Sequence, residues 1–421
     1  MTGVPTHADR DALGTRAAVI VFLTFAITYF LSALVRAVTA TLSPTLSLEL
    51  DLNAGDLGLL AGGYFLGFAL TQLPLGNWLD RHGPRQVILA FLAVAVLGCA
   101  AFALATSFSG LLAARVLTGM GVSACLMAPL TGFRRWLAPA TQLRANSWML
   151  MTGSLGMVAA TLPVQWLMPY TGWRGLFWLL AALIALSMVG LALAVPRWRQ
   201  TSPLPTEEQP SAATGYGLIW RHRYFRQMLP IGFVNYGGMV AMQTLWAGPW
   251  MVKVAGYSPQ QAAAGLFGIN LSMLCAFWLW GVVNPHLARR DLKPERLIAW
   301  GLPLSFVVLA SIVWRGAGAG WEWWALFCVT STFASLSQPA VALALPPEAA
   351  GRALSAYNLA IFGGVFGVQW GIGLLIEALT VFGWSEPVRY RGAIAFFGVC
   401  CVFAYLAFWR AWRARPTAQA S

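Results

Sequence analysis

Long apolar runs separated by short polar loops repeat from one end of the chain to the other. Twelve of them can be drawn, at about 17–40, 54–79, 86–106, 108–133, 141–168, 173–195, 228–252, 259–284, 295–315, 321–345, 352–379 and 390–411. Each exceeds the roughly 20 residues that cross a hydrocarbon core of about 30 Å at 1.5 Å per residue. No stretch shows the strict alternation of a half-buried strand. The pattern predicts an all-α membrane protein of 12 transmembrane helices. Composition agrees: 58% of the 421 residues are hydrophobic and only 10% are charged, against about 25% charged in a soluble domain. The first apolar run is too long for the core of a cleavable signal and has no small-residue cleavage site, so it is expected to stay as the first span.

The polar breaks divide the chain further. Residues 196–227 are the longest polar stretch and contain Pro203, Pro205, Glu207, Glu208 and Pro210 before the cluster Arg221-His222-Arg223. We read an N-terminal tail over 1–16, a first six-helix bundle over 17–195, a linker over 196–227, a second bundle over 228–411 and a tail over 412–421. The halves echo each other. Arg144-Ala145 followed by Ser147 opens the fifth run, Arg352-Ala353 followed by Ser355 opens the eleventh, and Gly156 and Gly364 fall at the same offset.

Charge orients the predicted helices. The net charge is +13, which by itself would admit a nucleic-acid partner. The arginines, however, cluster in short loops. With the amino terminus on the cytoplasmic side, 20 of the 27 basic residues fall in cytoplasmic segments and five outside. This is the bias expected of a cytoplasmic membrane protein with both termini inside. The expected surroundings are therefore the lipid bilayer of a bacterial-type inner membrane, with no nucleic acid bound. The six cysteines all lie in apolar runs without metal-ligand spacing and read as small buried hydrophobes. No metal or cofactor is expected, and no serine–histidine or carboxylate constellation suggests an enzyme.

The remaining two basic residues, Arg36 and Arg115, lie inside the membrane. An isolated cation there costs roughly 3 kcal/mol or more and usually faces a partner or a water-filled cavity. No Asp, Glu or His occupies the central part of any predicted span, so the two arginines point to a path for an anion. Arginine suits that role because its planar fork binds a carboxylate or phosphate through two hydrogen bonds. The alternative for Arg36 is snorkelling to the outer surface, and for Arg115 a structural role. Further polar candidates at membrane depth are Tyr29, Tyr64, Asn235, Tyr236, Gln243, Asn358 and Gln369; the alternative role for each is a hydrogen bond between helices. Trp246 and Trp250 flank Gly248-Pro249, where helix seven is expected to break and Trp246 to act as a gate. Glu377, near the outer face, is the candidate for proton coupling.

The loop after the second run reads Gly76-Asn77-Trp78-Leu79-Asp80-Arg81-His82-Gly83-Pro84-Arg85. It resembles the signature loop of the major facilitator superfamily. In physical terms Gly76 would allow close helix packing, Asp80 would cap or pair across the interface between halves, and Gly83 would permit a tight turn. Arg115-Val-Leu-Thr-Gly119-Met-Gly121 resembles that family's fourth-helix motif, Gly172-Trp173-Arg174 with Phe177 its usual sixth-helix start, and Gly351-Arg352-Ala353 the start of its eleventh helix. The second-half counterpart of the loop, Gly281 to Arg290, has no Asp at the matching place. Tyr29-Phe30-Leu31-Ser32-Ala33-Leu34-Val35-Arg36 is similar to the first helix of the organic anion and organic phosphate branches.

The resemblance implies two pseudo-symmetric six-helix bundles that rock about a central site, with Gly76, Asp80, Arg81, Gly83 and Arg85 serving conformational change. The expectation is a monomeric secondary transporter for a small organic anion such as a carboxylate, coupled to protons. The competing expectation is a proton-coupled efflux pump for drugs or amphipathic metabolites. That class calls for a membrane-buried acid and a full glycine–proline motif on helix five, whereas only Gly153, Gly156 and a late Pro163 are present.

Overall fold

The computed structural model describes residues 13–197, 216–290 and 292–414. The centre of the linker and the ends of both tails lie outside these residues. All described secondary structure is helical, as an interior without water requires: each backbone N–H and C=O must be satisfied within its own segment. The twelve membrane helices are α1 (Thr15–Glu49), α2 (54–82), α3 (84–104), α4 (Phe108–Trp136), α5 (139–171), α6 (173–194), α7 (223–253), α8 (Pro259–Arg289), α9 (Pro294–Gly318), α10 (Trp321–Leu343), α11 (Pro347–Ala378) and α12 (Glu386–Arg413). A short helix, Tyr216–Arg221, precedes α7, and its Tyr216 hydroxyl donates to the Leu73 carbonyl of α2 over 3.1 Å.

Nine described helical segments are long and apolar enough to cross a membrane by themselves. The other three spans, α2, α5 and α7, are interrupted, α2 at Thr71 and α5 at Ala160 and Thr161. Two glycines separate α2 from α3 and α5 from α6: Gly83 and Gly172 have φ of 74° and 60° inside otherwise continuous helical runs. A side chain resists that region, so glycine occupies both corners. Helix α7 is broken up by two π-helical turns, Ile231–Tyr236 and Met242–Trp246.

The expected break at Gly248-Pro249 is not there. Ala247–Lys253 is regular α-helix. Pro249 has no N–H to give the Leu245 carbonyl, and the widened turn immediately before it absorbs the defect. Trp246 and Trp250 are fully buried rather than at a membrane surface. Their indole N–H groups donate to the Gln369 and Ala319 carbonyls over 3.2 and 3.1 Å. Trp246 thus ties α7 to α11 within the second half.

Apolar side chains point outward to lipid, among them Ile20, Leu23 and Ile27 on α1 and Trp314 on α9. Cys275 is also exposed, so the cysteines are not uniformly buried. Between helices the contact is close. The halves repeat one packing device: a Cβ on Gly156 of α5 would stand 2.3 Å from the Phe30 carbonyl oxygen of α1, and one on Gly364 of α11 2.0 Å from that of Phe233 on α7. Small residues let backbones approach where lipid offers no hydrophobic drive for association.

Candidate functional site

Helices α1 and α5 of the first half and α7, α8 and α10 of the second enclose a cavity of about 610 Å³. Arg36, Tyr29 and Ala33 enter it from α1, Trp148, Met151 and Met157 from α5, and Tyr236, Met239 and Gln243 from α7. Leu274, Phe277, Trp278 and Trp280 come from α8, and Ser335 and Gln338 from α10. Arg36 is the sole charged residue in its described lining.

The Arg36 side chain is half-buried, and its Nε is buried without a hydrogen-bond partner. Its guanidinium lies 5.6 Å from the centre of the Phe68 ring and beside the hydroxyls of Tyr29 and Tyr64. Tyr29 is held in place because Gly153 leaves room for its ring; a Cβ there would come within 2.4 Å. Among the described residues no carboxylate pairs with Arg36.

Arg115 reaches the same level of α1 from behind. It is fully buried and outside the cavity lining. One guanidinium nitrogen donates to the Val35 carbonyl over 3.1 Å and another to the Thr39 hydroxyl. Its charge also faces the Tyr64 and Phe102 rings at 5.2 and 6.0 Å. The Tyr64 side chain is thus shared: its hydroxyl serves Arg36 and its ring Arg115. Arg115 thus straps α4 to α1 outside the cavity lining.

Of the other predicted polar residues, Tyr29, Tyr236 and Gln243 line the cavity and four do not. Tyr64 stands behind Arg36. Asn235 turns toward the Cys401 carbonyl of α12 at 3.5 Å. Asn358 accepts from Gln338, which does reach the cavity. Gln369 donates to the Thr244 hydroxyl over 3.0 Å. Sequence reasoning missed the apolar and aromatic lining, Met151, Met157, Met239, Trp148, Phe277, Trp278 and Trp280. Tryptophans several turns inside a helix end, away from the interfacial belt, were the available signal.

The cavity extends toward the linker end of the molecule, through Trp148 on α5, Trp280 and Val282 on α8 and Pro339 on α10. At the far end the halves meet. A Cβ on Gly58 would lie 2.4 Å from the Gln369 carbonyl oxygen, and one on Gly373 2.3 Å from that of Ala54. Phe68 and Phe362 meet at a tilt of 53° across the same α2–α11 seam, ring centres 4.4 Å apart. Glu377 completes it by accepting a hydrogen bond from the Ala54 backbone N–H at 3.0 Å. It caps a helix and does not line the cavity. Nearby, Glu49 at the end of α1 accepts from the Trp173 indole over 2.6 Å and pairs with Arg174, which accounts for the Gly172-Trp173-Arg174 sequence.

The loop between α2 and α3 behaves differently from expectation. Gly83 makes the tight turn. Gly76 has open space around it, so it does not serve close packing. Asp80 is exposed and faces Arg134 of its own half rather than the second half. Arg81 has a partner within the structure. Arg85 donates to the Ala192 carbonyl in the last turn of α6.

Twelve helices in two repeating halves, with a cavity between them open toward one end and sealed at the other, define a multi-pass membrane transporter. The Major Facilitator Superfamily profile matches residues 25–368. The chain belongs to that family, and it is not an enzyme. It is similar to the 3-(3-hydroxy-phenyl)propionate transporter of Escherichia coli (strain K12), 25% identical over 294 residues, 62% of this chain and 68% of that protein. It is likewise similar to the 4-hydroxybenzoate transporter PcaK of Pseudomonas aeruginosa, 25% identical over 301 residues, 63% and 67% of the two chains. A third relative, the multidrug resistance protein MdtM of Salmonella typhimurium, is 28% identical over 204 residues, 44% of this chain and 48% of that one. Among solved structures, an inward-facing, unoccupied bacterial homolog of the human lysosomal transporter Spinster superposes with a TM-score of 0.77 at 18% identity, covering 95% of this chain and 98% of that one.

Proposed function

We propose that this transporter carries a small organic anion, with Arg36 as its anion-binding group. One observation carries the reading: a single guanidinium with an unpartnered Nε projects into a cavity between the halves, and the described lining offers it no counter-charge. A carboxylate arriving there would supply the missing charge and accept two parallel hydrogen bonds. The names of the aromatic acid relatives are in keeping with this. Tyr29, Tyr236 and Gln243 are the accompanying polar contacts. Arg115, Tyr64, Gln369 and Asn358 act behind them, and Asn235 elsewhere.

The linker end is assigned to the cytoplasm of a bacterial-type inner membrane, from the arginine distribution. The conformation described is then open inward and closed outward. Alternating access would open the α2–α11 seam and close the linker end. Energy comes from a solute or ion gradient, since no nucleotide-binding motif is present. Proton coupling has no carboxylate or histidine among the described cavity residues, so the reading assigns it to no side chain.

An efflux pump is the second reading, favoured by the aromatic lining and the MdtM relative. A thermal-shift screen of purified protein separates the two, because a ligand that binds the native state raises its apparent stability. Stabilisation of wild type but not of Arg36→Gln by organic acids supports the anion carrier. Equal stabilisation of both proteins by cationic or neutral amphiphiles replaces it with the pump.

A further inference from the structure

Resting on the anion reading above, we infer that the solute is a monocarboxylate whose flat apolar ring is set back from the carboxylate by a short chain. Three features of the cavity lead there.

The first is charge. Arg36 is the one cation in the described lining, so a second anionic group on the solute would be desolvated without a partner, which is costly.

The second is the hydrogen-bonding capacity of the wall. Several of its polar side chains already have one group engaged. Gln243 donates to Asn270 over 3.0 Å, Gln338 to Asn358, Ser335 to the Thr332 carbonyl over 2.7 Å and Ser154 to the Leu150 carbonyl over 3.3 Å. Ser147 has a partner as well. Beside Arg36 the phenols of Tyr29 and Tyr236 and the remaining amide groups of Gln243 are left, and nearer the mouth Gln338 and the indoles of Trp148 and Trp278. A polyhydroxylated acid needs a donor or acceptor for each hydroxyl along its length, and the interval below Arg36, lined by Met157, Met239, Leu274 and Phe277, supplies none.

The third is the order of groups along the cavity. Gly248 of α7 meets the Ala40 carbonyl of α1, so Gln243 and Arg36 lie at one level, and the Gln243–Asn270 bond carries that level to α8. Phe277 is seven residues nearer the linker end than Asn270, about 10 Å by the helical rise. An arginine in α1 leans toward the amino-terminal end of its helix, which shortens that gap for the guanidinium. Met239, Met157 and Leu274 occupy the interval. Polarisable thioethers against an aromatic face make a slot for a ring. Trp280 stands nearer the mouth, its indole donating to Thr332 over 2.8 Å and its ring edge-on to Phe333.

The test is equilibrium binding to the purified full-length protein with four probes: 3-phenylpropionate, gluconate, adipate and uncharged 3-phenylpropionamide. The variants are Arg36→Gln, Phe277→Ala and Phe277→Leu, the last keeping apolar volume and losing only the ring. The expected result is that 3-phenylpropionate binds at least tenfold more tightly than gluconate or adipate. Both Phe277 variants should weaken it several-fold while leaving the thermal unfolding profile near wild type. If gluconate or adipate binds as tightly as 3-phenylpropionate and Arg36→Gln abolishes it, the ring-bearing class is wrong while the anion reading stands. If 3-phenylpropionamide binds as well as the acid and Arg36→Gln changes nothing, the anion reading falls too.

Discussion

The Glu377 carboxylate of α11 accepts a 3.0 Å hydrogen bond from the backbone N–H of Ala54, the first residue of α2. It joins the two halves at the end where they are sealed. The first turn of a helix has N–H groups without intrahelical partners and a partial positive charge. Asn53 and Asp56 satisfy two of these groups from within the first half, as a capping box. Glu377 supplies a third partner from the second half.

That bond has to break when the far end opens. Hydrogen bonds to charged groups contribute about 1.5–3 kcal/mol, less for one partly exposed to water, so Glu377→Ala should shift the equilibrium toward the far-end-open state about tenfold. Labelling of a cysteine placed on α2 near the far end would measure this. Unchanged labelling would remove Glu377 as a latch. Glu377→Gln keeps an acceptor oxygen and should have a smaller effect, with the pH dependence of transport unaltered.

Gly58 and Gly373 make the same seam sterically. A Cβ at either would come within 2.4 Å of a backbone oxygen of the opposite half. Gly58→Val should therefore disfavour the closed far end and depress transport more than ligand binding. Transport at the wild-type rate would show that the seam tolerates separation throughout the cycle.

Arg115 is predicted to matter for stability rather than for the solute. Arg115→Ala removes the donors to the Val35 carbonyl and Thr39 hydroxyl and takes a buried side chain away from two aromatic rings. The loss should be about 2–4 kcal/mol, from the lost charge-assisted hydrogen bonds and the packing defect. Thermal unfolding in detergent checks it. A fully stable variant that has lost ligand binding would return Arg115 to the solute site.

Gly83→Ala places a Cβ in the left-handed region at the α2–α3 corner. The expected cost is about 1–2 kcal/mol, seen as a lowered midpoint of unfolding. Gly76→Ala, with nothing near it, should leave the midpoint unchanged. Equal effects of the two would contradict the assignment of the turn to Gly83 alone.

The legible parts of this fold were those with a local cause. Twelve apolar runs, the Gly83 corner and the Gly172-Trp173-Arg174 start each follow from length, composition or a backbone requirement. The repeat of Gly156 and Gly364 was visible as spacing, though its meaning, a backbone contact with the first helix of each half, was not. Arg36 stood out because an unpaired cation in lipid needs a reason. The rest depends on which face of a helix meets which neighbour. In a bilayer the lipid-facing side is as apolar as the buried side, so periodicity does not separate them. Arg115 and Arg36 therefore looked alike in sequence, although one is strapped behind α1 and the other lines the cavity. Glu377 read as a proton carrier because its partner, a backbone N–H more than three hundred residues away, carries no side-chain signature. The break expected at Pro249 was absorbed by a π turn, a register change that residue identity does not announce.

The most direct test of the central claim is flux. Wild type and Arg36→Gln would be reconstituted into proteoliposomes, and counterflow of a radiolabelled organic acid, identified by the binding screen, would be followed beside that of a neutral amphiphile. The account predicts saturable counterflow of the acid by wild type and a loss of at least tenfold in Arg36→Gln. Undiminished acid counterflow in Arg36→Gln, or counterflow of the neutral amphiphile alone by both proteins, would contradict it.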